Sequence, residues 1–132
     1  MGKKEQNDNN IRFKEIELVK KEREALVRVS KELLTLLHVD NPNEVKIEKK
    51  ILELTGHLAN IGGFCDKDTR EKIHEIKNLL TFSIGHPAFY VELKLSLPHI
   101  VGIEVDFTKR PFKIIGFELE VLKQKFKALL KR

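Results

Sequence analysis

The residues best equipped for chemistry lie in the stretch Gly62-Gly63-Phe64-Cys65-Asp66-Lys67-Asp68. A glycine pair lets backbone amides approach an anion, and a helix opening just beyond it offers unpaired N–H groups to the same anion. Asp66 and Asp68 can instead ligate a divalent cation, but the spacing matches no phosphate loop and the further ligands of a calcium loop are missing. The plainer role is a helix–helix connector, with glycine closing one helix and Asp68 capping the next. Cys65 is the one cysteine, so no internal disulfide forms and a reducing compartment is the expectation. As a nucleophile it is poorly placed, because the Asp66 carboxylate raises a neighbouring thiol pKa even as a following helix N-terminus lowers it.

The remaining candidates are scattered. His38, His57, His74, His86 and His99 form no pair with metal-ligand spacing, and His57 and His74 approach each other only if their helices pack antiparallel. Ser30, Ser83 and Ser96 each fall inside a predicted regular element rather than on a sharp turn. Glu104 and Asp106 share one face of a predicted strand, about 7 Å apart, with Glu92 across the ladder and Lys94 nearby as a partner. On an open polar face such carboxylates are solvated rather than catalytic. The expectation is therefore no catalytic residue, no metal ligand and no cofactor site.

Binding has better material. The segment 109–132 holds eight basic residues and two acids, a net +6, which leaves −1 for the preceding 108 residues of a chain whose total is +5. Lys109 and Arg110 open this segment, and Lys123, Lys127 and Lys131 form an i, i+4, i+8 ridge opposite Leu119, Leu122, Phe126 and Leu129. Such a helix can contact phosphates, an anionic surface or a partner's groove. Base-specific readout would call for arginine, asparagine or exposed aromatics on the ridge, and only Gln124 is there. The second binding element is the start of the first helix, where Ile11, Phe13, Ile16 and Leu18 have no evident intramolecular cover.

These residues depend on elements whose outlines are legible. Residues 1–10 are polar and read as a disordered lead-in, and 11–132 as a single α+β domain. Apolar residues at 16, 19, 26, 33 and 37 predict a helix over 11–38, interrupted on its apolar face by Arg23 and Ser30. A second helix over 42–61 starts with Asn41 as cap and Pro42 as its first residue, burying Ile47, Ile51, Leu54, Leu58 and Ile61. A third runs over 68–83 with Ile73, Ile76, Leu80 and Phe82 inward, and Gly85-His86-Pro87 stops it. The apolar period then shifts to two: alternation predicts strands over 88–97, 100–107 and 112–117, joined by turns too short for a parallel crossover. A C-terminal amphipathic helix over 118–130 packs on the sheet.

The fold class expected is thus α+β: three N-terminal helices, a three-stranded antiparallel β-meander and a closing helix. No run of the sequence reaches the length of a membrane span and no signal-peptide core precedes the first helix, so a cytoplasmic protein is expected. With catalytic motifs missing, the function expected is that of a small interaction or adaptor protein. It would act through protein contacts of the first helix, as a homodimer or with another protein. A nucleic-acid-binding protein using 109–132 is the alternative, and an enzyme of unknown class the third reading.

Overall fold

The computed structural model describes the backbone of residues 2–130 and the side chains of residues 10–121, 123, 124 and 127. Helix α1 spans Gly2–Leu37, so it begins within the polar stretch 1–10. Its buried face is the predicted stripe: Val19, Leu26, Leu33 and Leu37 are all within 1% of complete burial. Arg23 interrupts that stripe because its guanidinium Nε donates to the Ile103 carbonyl at 2.8 Å, which satisfies both groups at the edge of the core. Helix α2, Glu44–Gly62, lies antiparallel on α1: Lys50 meets Glu32, and seven residues later His57 meets Glu22. It buries Ile47, Ile51, Leu54, Leu58 and Ile61, as predicted.

Both predicted caps stand two residues from the true ones. Asn43, not Asn41, caps α2 by accepting from the Lys46 N–H at 3.1 Å, and Pro42 precedes the cap. Asp66, not Asp68, caps α3 (Lys67–Phe82) by accepting from the Thr69 N–H at 2.9 Å. Ile73, Ile76 and Leu80 of α3 are buried, whereas Phe82 is exposed and stacks on His86 with ring centroids 4.9 Å apart. Gly85, at φ +76°, makes the reversal that a side chain would resist.

The largest departure from expectation follows. No strand forms over 88–97: a 3-10 turn at Pro87–Phe89 leads into helix α4, Tyr90–Val101. Tyr90, Leu93, Leu97 and Ile100 are buried at helical spacing, while Val91 and Leu95 are 58% and 53% exposed. Apolar residues at every second position contain the i, i+4 steps of a helix (Phe89, Leu93, Leu97) as well as a strand face, and Tyr90 and Ile100 supply the three-residue steps to Leu93 and from Leu97. Leucine, the commonest apolar residue of this stretch, favours helix over strand. Pro98 lies inside α4 and has no N–H to give to the helix ladder; the helix ends three residues later, where Gly102 closes it with its N–H on the Pro98 carbonyl.

The sheet has two strands, not three. β1 (Glu104–Asp106) and β2 (Lys113–Ile115) pair antiparallel, with Val105 opposite Ile114, in place of the predicted 100–107 and 112–117. Gly116, at φ +74°, then turns the chain into helix α5, Leu119–Leu130. The main contacts of α5 are with α3 and α4, rather than with a sheet face. The result is mostly helical, with α1 flanked by α2 and α4 and the hairpin packed at one end.

Candidate functional site

The connector between α2 and α3 occupies residues 63–66, and the hairpin loop is fastened to it. The Phe112 N–H donates to the Phe64 carbonyl at 3.1 Å, and the Asp66 N–H donates to the Phe112 carbonyl at 2.8 Å. These two bonds form a single parallel bridge between residues 65 and 112. Phe112 is 1% exposed and meets Phe107 edge to face at 5.0 Å, so its ring anchors the bridge in the core. The early half of α1 runs alongside: Arg12 donates to the Phe107 carbonyl at 2.8 Å, and Arg110 Nη2 stands 3.7 Å from Glu15 Oε1.

Three segments therefore meet around a hollow of about 370 Å³. Its wall carries the cations Lys67, Arg70 and Arg110, the acids Glu15 and Asp66, and the uncharged surfaces of Phe64, Pro111 and Phe112. Both acids are engaged. Glu15 faces Arg110, and Asp66 divides its oxygens between the Thr69 N–H and Lys113 Nζ, the latter at 3.4 Å. Among the described residues neither Lys67 nor Arg70 has an acidic partner within ion-pair distance. The arrangement can hold an anion.

The Thr69 N–H and hydroxyl, followed by Lys113, hold the Asp66 carboxyl below the usual carboxylate range. The Asp66 pKa is lower folded than unfolded, so its contribution is present above the unfolded value and is lost as pH falls through the folded one. Unfolding free energy followed from pH 7 to pH 2 is expected to drop below about pH 4. Asp66→Asn, whose amide oxygen still accepts from Thr69, is expected to show a shallower drop than the native chain.

Cys65 also lines the hollow, but burial, reinforced by the Asp66 charge and opposed by Arg70, pushes its thiol up to about 11. Its Sγ is turned to the Ile61 carbonyl, at 3.3 Å.

The other predicted residues are dispersed. Ile11, Phe13 and Leu18 are 49%, 64% and 51% exposed, whereas Ile16 packs against the core. Of the four, Ile16 alone is covered by the core, while the hairpin touches the early part of α1 through Arg12 and Glu15. Ile11 and Leu18 share a face with Glu15 at i, i+4, i+7 spacing, and Phe13 lies on the opposite flank. Lys109 and Lys127 are exposed, Lys123 is 2.7 Å from Glu75 of α3, and Lys131 lies outside the described residues.

His57 is bound to Glu22 at 2.6 Å while His74 lies on the exposed face of α3, so the two do not form a pair. Among the described residues no three of His, Cys, Asp and Glu converge as metal ligands do. Glu104 and Asp106 do share one face of β1, but Asp106 accepts from the Thr108 N–H at 2.9 Å and from its hydroxyl, closing a turn, and Glu92 is on α4 instead of across the ladder.

Sequence reasoning reached Arg110 through the basic segment and Lys67 through the unusual connector. Arg70 and Glu15 were missed, since each looks like an ordinary charge on a helix surface. One signal was available: Lys67 and Arg70 stand in the first turns of α3, where the helix dipole disfavours cations. No family model matches the chain, and neither a curated protein nor a solved structure matches it.

Proposed function

We propose that this protein is a non-enzymatic interaction module whose partner docks on the first half of α1 and on the basic hollow beside it. The observation that carries the reading is a juxtaposition. Ile11 and Leu18, both about half exposed, lie on the same helical face as Glu15, which is itself part of the wall of the hollow. An apolar contact flanked by unpaired cations suits a partner polypeptide presenting a negatively charged group next to apolar side chains. The nucleic-acid reading draws less support, because Arg110, Lys113 and Lys123 of the basic segment each face an acid of the helical part: Glu15, Asp66 and Glu75.

The test is capture from the protein's own cell extract, with and without nuclease, comparing the native chain with an Ile11→Glu/Leu18→Glu variant. A partner held in both nuclease arms and lost with the variant is expected. Equal capture by both chains, or capture abolished by nuclease alone, overturns the reading. Sedimentation of the native chain over a range of concentrations identifies a second copy as the partner.

A further inference from the structure

The charge around the hollow specifies its ligand more closely. We propose that Lys67, Arg70 and Arg110 bind a phosphate monoester, carried on the partner segment that docks against α1; the identity of the carrier rests on the docking reading above.

Three arguments converge on this chemistry. The cations come from two separate parts of the chain, the start of α3 and the hairpin loop, and are brought to one cavity by the bridge at Phe112. Lys67 and Arg70 have no acidic partner among the described residues, and they add to the positive end of the α3 dipole instead of offsetting it. Asp68 stands in the same turn but does not line the hollow. The Lys67 and Asp68 N–H groups, beyond the reach of the Asp66 cap, are the ordinary unpaired donors of a helix start and add to the same field.

Arg110 decides between anions. It already faces a carboxylate, Glu15, at 3.7 Å, beyond hydrogen-bond distance. A second carboxylate would merely exchange for the first, whereas a dianion with three terminal oxygens engages Arg110 together with Arg70 and Lys67. Glu15 is then a built-in competitor, and removing its charge should tighten binding.

The experiment is an amide-resolved NMR titration of the whole chain at constant ionic strength. The probes are phenyl phosphate, inorganic phosphate and acetate. Phenyl phosphate is expected to shift the amides of residues 67–70 and 110–112 with millimolar affinity, and acetate at equal concentration to leave them unmoved. Arg70→Gln and Lys67→Gln, both solvent-facing changes, should each weaken binding at least about tenfold, the size of one lost charge-assisted hydrogen bond. Glu15→Gln should strengthen it.

Equal shifts from acetate, an unchanged affinity in both cation variants, or binding of inorganic phosphate with exclusion of the ester each overturn the proposal. The titration needs no partner, so its failure is distinct from failure of capture. Loss of capture in the Ile11/Leu18 variant can stand while phosphate binding falls, and the reverse.

Discussion

Phe112→Ala is expected to lower the unfolding free energy by about 3–5 kcal/mol, measured by urea denaturation, and to abolish the basic hollow with it. The ring is 1% exposed and packed against Phe107, and the same residue supplies both backbone bonds that tie the hairpin loop to the α2–α3 connector. Removing it leaves a cavity where α1, the connector and the hairpin meet, and loosens the strap that positions Arg110. The amides of residues 64–66 should therefore lose hydrogen-exchange protection along with those of 104–106 and 113–115. Phe112→Leu, which keeps most of the volume, is expected to cost well under half as much. Equal stability of the alanine variant and the native chain would falsify the assigned packing.

Four substitutions along α4 separate a helix from the strand that alternation predicts. Leu93→Ala and Leu97→Ala are each expected to cost about 2–5 kcal/mol, because both side chains are within 1% of full burial. Val91→Lys and Leu95→Lys should stay within about 0.5 kcal/mol of the native chain, since these side chains already face solvent. In a strand, residues 91, 93, 95 and 97 share one face, so all four changes would be comparably damaging. Urea midpoints of the four variants decide between the two geometries.

Much of the helical half was legible because burial and period agree there. Val19, Leu26, Leu33 and Leu37 on α1 recur at seven- and four-residue steps, and Ile47, Ile51, Leu54, Leu58 and Ile61 on α2 at four- and three-residue steps, with charged residues between them. The caps were visible in kind but not in place. Asn41 and Asn43, like Asp66 and Asp68, are chemically equivalent and two residues apart. Only the backbone at 43 and 66, extended at ψ 101° and 170°, selects the residue that caps.

From Phe89 onward the pattern satisfied two periods at once. Packing against α1, which no local signal reports, chose the helix. The hollow was hidden for the same reason. Glu15, Arg70 and Arg110 are surface-type charges dispersed along the sequence, and the Phe112 bridge together with the α1–hairpin contacts of Arg12 and Glu15 makes them neighbours.

On the phosphate-binding proposal, that bridge also makes recognition conditional on folding. The cations of the hollow come from α3 and from a loop some forty residues further along the chain, and Phe112 with its two backbone bonds, joined by the Lys113–Asp66 pair, brings them together. A chain whose hairpin has not yet docked displays Lys67 and Arg70 without Arg110, and lacks the Phe112 wall. A ligand that requires all three cations therefore ignores nascent or partly opened molecules and engages only those whose C-terminal third is in place.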